Sequence, residues 1–230
     1  MGSETEPRKN VLVVDVGGTK VKIKTATDGG EQRTFPSGRR LTAQKAVDGV
    51  LQLVGDWKYD VVSIGIPAPV INGRILHEPH NLGGGWVGFD FKAAFGCPVK
   101  IINDAAMQAL GSYHGGSMLF LGLGTGLGSS MVVDDVIVPM ELAHLPYKKK
   151  TFEDYVGLAG LERLGRKKWQ LAVFDVVQRL RSALEPDYIV IGGGNGNLLK
   201  KLPDGVETCP NENAFLGGFR LWDEAKLATD

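Results

Sequence analysis

Cysteine is scarce in this 230-residue chain, which contains only Cys97 and Cys209. Two cysteines so far apart argue against a disulfide framework and a cysteine-based structural zinc site, and they fit a reducing compartment. No apolar run approaches the roughly 20 residues that a membrane span requires. The first ten residues are polar and lack the apolar centre of a signal peptide. We therefore expect a cytoplasmic protein without structural zinc and without a membrane partner.

An excess of charge of either sign is also absent, because 26 basic residues balance 26 acidic ones. No global field therefore attracts nucleic acid or anionic lipid, and we expect neither as a partner. Glycine, in contrast, is abundant at 32 residues, roughly twice its average usage. Much of it follows apolar runs, where it either closes tight hairpins or lets the backbone approach a ligand.

Two glycine-threonine turns, one in each half of the chain, are the most informative feature. The first is Asp15–Thr19, after the apolar run Val11–Val14, and the second is Gly124–Gly128, after Met118–Leu121. Each lies between two strand-like runs, so each is predicted to form the tip of a β-hairpin. Glycine lets backbone amides approach an anion, and threonine adds a hydroxyl donor. The pair indicates a duplicated phosphate-binding unit.

The order of the predicted elements is repeated as well. In the first half, three short strands precede an apolar helical stripe over 41–54 and the buried-type strands 60–66 and 99–102. In the second half, three strands precede predicted helices at 152–164 and 169–184, a strand at 188–191, a short helix at 195–201 and a short strand at 206–209. This pattern predicts an α/β fold made of two ribonuclease-H-like lobes. The expected organisation is a disordered tail at 1–9, a small lobe at 10–103 that the C-terminal helix 213–230 packs against, and a larger lobe at 104–212.

Two acidic residues have both an ordinary and a functional interpretation. Asp15 is either a turn-favouring carboxylate or, beside a phosphate nest at the end of a buried strand, a partner for Mg²⁺-bound phosphate. Asp104 is either a helix N-cap or a general base at the carboxyl end of a strand, where ligands bind in α/β folds. Phosphoryl transfer to an alcohol needs such a base to take or orient the hydroxyl proton.

Three further segments keep alternatives open. Glu141 and His144 have an E-x-x-H spacing that on a helix places them on one face, either as a surface pair or as a grip on polyol hydroxyls. A metal site would need more ligands than this segment offers, because the other histidines are distant in sequence. The run Gly192–Asn195 is either a close strand-to-helix turn or a surface for adenine or ribose. The basic runs Lys148–Lys150 and Arg166–Lys168 are either solvated surface or a track for a polyanion.

Taken together, these segments resemble the ROK family of sugar kinases from Val11 onward, and most closely its short glucokinase and polyphosphate-glucokinase branch. The resemblance is carried, in order, by Asp15–Thr19, Gly65–Pro69, Asn81 with Trp86, Asn103–Ala105, Leu123–Gly128, Glu141 with His144, Glu153–Tyr155 and Ile191–Gly194. It implies an actin-like, hexokinase-type fold with two lobes around a central cleft. Family members that repress transcription carry a winged helix ahead of the kinase-like part, and only about ten residues precede the first strand here.

The resemblance also implies a role for each matched residue. Asp104 is the expected catalytic base on the sugar 6-hydroxyl. The other expected hexose-binding residues are Asn81, Asn103, Glu141, His144 and Glu153. The expected residues for the phosphates and nucleoside of ATP, with Mg²⁺ at Asp15 through water or phosphate, are Asp15, Gly17, Gly18, Thr19, Lys20, Gly124, Thr125, Gly126, Gly193 and Gly194.

The implied activity is that of a hexose kinase, first of all an ATP-dependent glucokinase, acting as a homodimer. The alternatives are polyphosphate as donor, another hexose such as mannose or an N-acetylhexosamine, and a catalytically inactive sugar sensor. Met140 and Ala143 stand where the family usually has glycine, so we expect these two side chains to reshape the sugar pocket.

Overall fold

The computed structural model describes residues 9–26 and 31–223. The chain divides into two units: unit 1 contains the chain up to Asp104 and a second segment that begins at Gly218, and unit 2 contains Ala105–Gly217. Most of the predicted tail 1–9 and the end of the predicted helix 213–230 lie outside the described residues.

Unit 1 is built on one five-stranded sheet. Its elements are β1 (Val11–Val16), β2 (Lys20–Thr25), β3 (Arg33–Pro36), α1 (Ala43–Val54), β4 (Val61–Ile66), β5 (Val70–Ile71), β6 (Arg74–Ile75), α2 (Phe91–Phe95) and β7 (Val99–Asn103). The strand order is β3-β2-β1-β4-β7, with β5 and β6 forming a separate hairpin. The first three strands are antiparallel neighbours, while β1, β4 and β7 run parallel.

One face of this sheet is covered by α1, because the helix presents an apolar stripe to it. Thr42 caps the helix by accepting a hydrogen bond from the Lys45 backbone N–H at 3.3 Å. Alanine and valine side chains at helical spacing are buried against alternate residues of β1 and β4 and against Trp86.

The opposite face of the unit 1 sheet is covered by the segment that begins at Gly218. The buried Ser63 hydroxyl donates to the Gly218 carbonyl at 2.6 Å and accepts from the Trp222 indole N–H at 2.9 Å. The Lys100 ammonium donates to the Leu221 carbonyl at 2.7 Å and lies 4.5 Å from the Trp222 ring centre. These polar contacts, together with the packing of Gly218 against the buried Val13 side chain, fix the returning chain on this sheet face.

Unit 2 repeats the topology of unit 1. Its elements are α3 (Asp104–Ser112, of which Asp104 belongs to unit 1), β8 (Ser117–Leu123), β9 (Leu127–Val133), β10 (Val136–Met140), β11 (Pro146–Tyr147), β12 (Lys150–Thr151), α4 (Phe152–Val156), α5 (Leu158–Leu184), β13 (Tyr188–Gly192), a 3₁₀ turn (Gly196–Leu198), β14 (Val206–Thr208) and α6 (Asn213–Arg220, which crosses into unit 1 at Gly218). The strand order β10-β9-β8-β13-β14 matches β3-β2-β1-β4-β7 position for position. The predicted α/β fold of two ribonuclease-H-like units is confirmed.

The helices of unit 2 differ from the prediction in their bounds. The expected helix 152–164 ends at Val156, and a second helix begins at Leu158 and continues to Leu184. This long helix is kinked at Gly165, whose φ of 71° and ψ of 157° are not helical. Glycine alone adopts such a φ without strain, so the predicted break between two helices in this region is present at Gly165. The expected helix 195–201 is a single 3₁₀ turn.

Within unit 2, α3 and the start of α6 cross so closely that two glycines are required. A Cβ on Gly217 would collide with the Met107 carbonyl and lie 2.9 Å from the Gly111 nitrogen. A Cβ on Gly111 would meet the backbone of Asn213 in the same way. The Asn213 side chain donates to the Ser112 hydroxyl at 3.0 Å across the same crossing.

We predict that Gly217→Ala lowers the free energy of unfolding by about 2–3 kcal/mol, because the methyl group forces the two helix backbones apart. Chemical denaturation followed by circular dichroism measures the change. Leu216→Ala in the same helix is the control: Leu216 is exposed, so its truncation should change stability by less than about 0.5 kcal/mol. Equal losses in the two variants would contradict the close crossing.

Candidate active site

The first glycine-threonine turn is a tight hairpin between β1 and β2. The Gly17 N–H donates to the Lys20 carbonyl at 2.9 Å, and a Cβ on Gly17 would lie 3.0 Å from that oxygen. The Ser37 hydroxyl donates to the Gly17 carbonyl at 2.5 Å, which holds the turn from the side of β3. Gly18, Thr19 and Lys20 are exposed, so their polar groups are available to a ligand.

Asp15, just before this turn, is paired with a lysine that sequence analysis missed. Lys22 is its register partner on β2, and the Lys22 Nζ lies 3.2 Å from the Asp15 Oδ2. The Asp15 side chain is 14% exposed and that of Lys22 is 28% exposed. Burial raises the pKa of the Asp15 carboxyl, while the Lys22 ammonium acts against that rise. The pair places one carboxylate and one ammonium group directly beneath the glycine turn.

Asn81 lies in the loop between β6 and α2, beside the same turn. A Cβ on Gly18 would lie 3.8 Å from the Cβ of Asn81, so the loop touches the hairpin tip. Asn81 is exposed, while Leu82 and Trp86 of the same loop are buried in the unit 1 core. The structure therefore brings Asn81 to the first glycine-threonine turn, a proximity that could not be inferred from their separation in sequence.

Asn103 and Asp104 stand where β7 ends and α3 begins. The Asn103 amide donates to the Ala68 carbonyl at 3.2 Å, which fixes its side chain against the loop that follows β4. Asp104 is the first residue of α3 and is half-buried. The register aligns Asn103 with Ile66 and Asp15 with Gly65, so one strand separates the two acidic positions. Two strand spacings set Asp15 and the end of β7 roughly 10 Å apart.

The second glycine-threonine turn joins β8 to β9 in unit 2. The Gly124 N–H donates to the Gly126 carbonyl at 3.1 Å, and Thr125 at the tip is exposed. The Asn195 side chain donates to the Gly124 carbonyl at 3.1 Å. The first turn of α5 is fixed to the same loop, because the Leu158 N–H donates to the Gly124 and Thr125 carbonyls.

Glu153 is attached to the second turn. Its Oε2 accepts a hydrogen bond from the Leu127 N–H at 3.2 Å, and a Cβ on Gly126 would collide with this same oxygen. A side chain at position 126 would therefore displace the Glu153 carboxylate from this position. Thr151 and Asp154 form a capping box at the start of α4, which orients Glu153 in the first turn of that helix.

Glu141 and His144 are close together, but not on a helix as the spacing suggested. They lie in a turn between β10 and β11, with 4.0 Å between the His144 Nε2 and the Glu141 Oε1. Both side chains are more than half exposed. The turn is joined to α4, because the Glu153 N–H donates to the Ala143 carbonyl at 3.0 Å. The structure thus brings the three predicted sugar-binding residues of unit 2 into neighbouring segments.

Ser129 holds this turn in place and was not predicted. Its hydroxyl donates to the Met140 carbonyl and accepts from the Leu142 N–H, each at 3.1 Å. Ala143 is 3% exposed and packs in the unit 2 core with Leu123 and Tyr147, so its methyl group points away from solvent. Met140 packs partly buried against the same core, and the effect of these two side chains on a sugar pocket stays a prediction.

Gly193 and Gly194 follow β13 and differ from each other. Gly193 has a φ of 79°, and its Cβ would collide with the Leu123 backbone, so no other residue fits there. Around Gly194 a Cβ would meet nothing within 4 Å, and the residue is exposed. Gly193 is therefore in close contact with the Leu123 backbone, whereas Gly194 lies beside open space.

The two basic runs do not present a uniform row of charges. The Lys148 Nζ lies 4.9 Å from the Tyr147 ring centre and 5.4 Å from that of Tyr155. Lys150 pairs with Asp154 at 3.9 Å, and the Arg166 guanidinium donates to the Leu198 carbonyl. Lys149, Lys167 and Lys168 are exposed.

A metal cluster and a membrane-spanning helix are both missing from residues 9–26 and 31–223. No group of three or more His, Cys, Asp or Glu side chains is arranged to hold a metal ion there. Of the helices in this part of the chain, none combines the length and apolar character needed to traverse a bilayer.

Comparison with known proteins decides the family. The family model described as "ROK family" matches residues 11–138, which is more than half of the chain. The chain belongs to the ROK family. The segments that suggested this from sequence, from Asp15–Thr19 to Leu123–Gly128, lie within the matched residues.

Curated relatives of this ROK chain include two kinds of kinase. The polyphosphate glucokinase of Mycobacterium tuberculosis is 23% identical over 202 residues, covering 79% of this chain and 76% of the relative. The bifunctional enzyme NanE/NanK of Brucella melitensis is 27% identical over 147 residues, covering 57% of this chain. The chain spans only 28% of the length of that bifunctional relative.

Solved structures share the fold. The inorganic polyphosphate/ATP-glucomannokinase from Arthrobacter sp. strain KM superposes with a TM-score of 0.77 at 23% identity, covering 93% of this chain and 98% of that one. A ROK family glucokinase from Streptomyces griseus, in complex with glucose and AMPPNP, gives 0.69 at 16% identity, covering 92% and 98%. At these identities the likeness establishes the actin-like, hexokinase-type fold of the chain.

Tyr147 offers a test of how β11 is held against α4 and α5. Its hydroxyl donates to the Asp175 carboxylate at 2.6 Å, and its ring meets Tyr155 edge-on at 4.9 Å. That hydrogen bond is the main reason why the pKa of Asp175 lies below its ordinary value of 3.8. A depressed carboxyl pKa stabilises the folded state above the ordinary value, and the stabilisation is lost as pH falls through the folded pKa.

We predict that Tyr147→Phe lowers the free energy of unfolding by about 1 kcal/mol near neutral pH. The difference from wild type should shrink towards zero as the pH falls below 3.8, where Asp175 takes up its proton. Urea unfolding at a series of pH values measures both. Tyr155→Phe is the control, because the described residues show ring contacts but no hydrogen bond of the Tyr155 hydroxyl. A difference that persists unchanged into acid would contradict the role of the Asp175 carboxylate.

Proposed function

We propose that this ROK chain is a sugar kinase, and specifically a glucokinase that transfers a phosphoryl group from ATP to the sugar 6-hydroxyl with Asp104 as base. The observation that carries the proposal is the position of Asp15 and Asp104. Asp15 is the penultimate residue of β1 and Asp104 directly follows β7, so both lie at the carboxyl edge of one sheet, roughly two strand spacings apart. That spacing suits a phosphate held near Asp15 and a hydroxyl held at Asp104.

For phosphoryl transfer the protein must mainly position the two substrates and supply one proton acceptor. The Asp104 carboxylate accepts the 6-hydroxyl proton as the hydroxyl oxygen forms its bond to phosphorus and the bond to the leaving phosphate breaks. A positioned general base contributes about 10²–10⁴-fold to such a rate. Asn103 supports the base from the side, because its amide is fixed to the Ala68 carbonyl.

Hexose recognition is assigned to Asn81 and Asn103 in unit 1 and to Glu141, His144 and Glu153 in unit 2. These side chains offer carboxylate, imidazole and amide groups, which are the usual partners of sugar hydroxyls. Support comes from the way Glu153 is held, since one carboxylate oxygen is fixed by the Leu127 N–H while the helix cap orients the rest. A side chain ordered before binding loses less entropy when a hydroxyl arrives.

Phosphate binding is assigned to the two glycine-threonine turns and to Asp15, with Gly193 and Gly194 near the nucleoside. Mg²⁺ is bound in kinases through one or two carboxylates together with substrate phosphates, so a single buried carboxylate such as Asp15 fits it. When bound, Mg²⁺ neutralises charge on the phosphates. Lys22, Thr19 and Lys20 add fixed donors on the protein side.

Polyphosphate is the alternative donor, because two similar proteins are named for their use of polyphosphate. A long polyanion needs a row of fixed cations. Lys148 is engaged with two tyrosine rings and Lys150 with Asp154, which leaves the exposed Lys149, Lys167 and Lys168 as candidates for a track. This mixed arrangement supports ATP as the first choice of donor.

Two competing functions differ from this proposal in the sugar or in the class of protein. The glucomannokinase neighbour favours testing mannose beside glucose, and N-acetylmannosamine represents the alternative of an N-acetylhexosamine. An inactive sugar sensor would have no need of Asp104, whose presence in the sequence together with Asp15 argues for turnover. A homodimer in the cytoplasm completes the proposal.

We predict that Asp104→Asn lowers kcat at least a hundredfold while KM for the hexose changes less than about threefold. Asparagine has nearly the same shape as aspartate, so the variant changes the start of α3 little while it removes the carboxylate that accepts the proton. Steady-state kinetics with coupled detection of ADP measures both constants. A variant that retains more than about a tenth of wild-type kcat would contradict the role of Asp104, because the loss would be under roughly 1.4 kcal/mol.

One activity panel identifies both the phosphoryl donor and the preferred sugar. We expect glucose with ATP to give the highest kcat/KM among glucose, mannose and N-acetylmannosamine, each with ATP and with polyphosphate at two salt concentrations. Polyphosphate use that depends on Lys149 should weaken at high salt, and Lys149→Gln should raise KM for polyphosphate but not for ATP. Activity with polyphosphate alone would refute ATP as donor, and a higher kcat/KM for another sugar would refute glucose.

A further inference from the structure

Glu78 makes an unusual set of contacts in the loop between β6 and α2. Its Oε1 accepts hydrogen bonds from the N–H groups of Gly85 at 3.2 Å and Val87 at 3.3 Å, and its Oε2 accepts from the Trp86 N–H at 3.0 Å. Three successive backbone donors thus converge on one carboxylate. Gly85 has a φ of 85°, the conformation that turns neighbouring N–H groups towards one point and forms an anion-binding nest.

The far side of this loop is anchored by apolar packing. Trp86 is 1% exposed, and its indole N–H donates to the Gly83 carbonyl at 2.7 Å. The Gly83 N–H donates to the Leu41 carbonyl at 2.9 Å, and a Cβ on Gly83 would lie 3.1 Å from that backbone. The loop therefore stays attached to the core of unit 1 whether or not Glu78 is present.

Asn81 lies in the chain between Glu78 and the segment that Gly83 and Trp86 attach to the core. Glu78 precedes it by three residues and ties the chain before Asn81 to Gly85–Val87 after it, which closes the loop into a ring. At the tip of the ring, Asn81 lies against Gly18 of the first phosphate turn. The carboxylate of Glu78 points to the loop backbone, so its effect on a ligand passes through Asn81.

We infer that Glu78 is a positioning residue for the acceptor hexose: it holds Asn81 against the first phosphate turn by filling the nest of Gly85, Trp86 and Val87. The inference rests on the proposed function, because it takes Asn81 as a sugar-binding residue. Without Glu78 the three N–H groups bond to water, and the loop that carries Asn81 is no longer closed. Binding of the sugar is then weakened more than turnover of the bound complex.

Glutamine cannot replace this carboxylate fully. Both carboxylate oxygens accept, whereas a glutamine side chain must turn its NH₂ group towards at least one backbone donor. Its single carbonyl oxygen still serves either the Trp86 N–H or the pair from Gly85 and Val87. The effect of substitution should therefore be graded, with Glu78→Gln between wild type and Glu78→Ala.

A matched control is available nearby. Asp90 also uses a carboxylate to accept a backbone hydrogen bond, from the Ala93 N–H at 2.9 Å, and it caps α2 shortly after the loop. Asp90→Ala removes a comparable carboxylate-to-backbone contact without touching the nest. It should leave hexose affinity within about twofold of wild type.

The experiment combines kinetics, binding and hydrogen exchange on the full chain. Glu78→Ala should raise KM for glucose about tenfold and change kcat and KM for ATP less than about twofold, with Glu78→Gln intermediate. Isothermal titration with glucose should show the same graded loss of affinity. Hydrogen exchange followed by mass spectrometry should show faster exchange in the peptide containing residues 85–87 in Glu78→Ala, with exchange in β1 and β4 unchanged.

Several results would overturn the inference. They are an unchanged glucose affinity in Glu78→Ala, an equal loss in Asp90→Ala, or unchanged exchange at 85–87. A wild-type protein that neither binds nor phosphorylates any hexose in the panel would overturn the proposed function together with this inference. Wild-type activity with a Glu78→Ala variant of normal hexose KM would overturn this inference alone.

Discussion

The parallel pairing at the centre of each sheet is the constraint on which the candidate site depends. In unit 1, β1, β4 and β7 run in one direction, so their carboxyl ends meet at one edge of the sheet. The first glycine turn, the loop at 65–69 and Asn103–Asp104 follow those three ends. In unit 2, β8 and β13 have the same relation, and the Gly124–Gly126 turn and Gly193 follow them. Within each unit, the parallel register therefore brings chain segments that are far apart in sequence to one edge of that unit's sheet.

A second theme is that carboxylates hold the backbone turns. Glu153 accepts from the Leu127 N–H beside the second glycine turn, and Glu78 accepts from three successive N–H groups in the Asn81 loop. These contacts are the intramolecular counterpart of phosphate binding, because exposed backbone donors attract any anion of the right size. The donors that acidic side chains occupy are fixed parts of the scaffold, and the exposed turns Gly18–Thr19 and Thr125 remain open to a ligand.

The fold could be predicted from sequence because its signals are local. Apolar runs ending in glycine marked β1, β8 and their hairpins, and the repeat of three strands followed by alternating helix and strand indicated the topology of both units. The E-x-x-H spacing of Glu141 and His144 was misleading, because a turn also brings residues three apart together. Contacts with residues distant in sequence stabilise the turn here: the Ser129 hydroxyl on β9 bonds to its backbone, and the Ala143 carbonyl accepts a hydrogen bond from α4. The Lys22 partner of Asp15 was missed for a similar reason, since a cross-strand pair is visible only once the register is known.

The two units share a topology but not the chemistry of their turns. Asp15 stands two residues before the first glycine of its turn, and the corresponding position in unit 2 is Gly122. A Cβ at Gly122 would lie 3.3 Å from the Phe120 ring, so a side chain there would require the ring to shift slightly. The buried carboxylate and its lysine therefore occur in unit 1, while the corresponding position in unit 2 is a glycine beside the Phe120 ring.

The carboxylates proposed to act in unit 2, Glu141 and Glu153, lie instead in the turn after β10 and at the start of α4. An edge lined by a buried charge beside backbone donors favours a cation and a phosphate, whereas exposed carboxylates and an imidazole favour hydroxyl groups. This divergence within one repeated fold is the physical basis for assigning different parts of a kinase substrate pair to different residues.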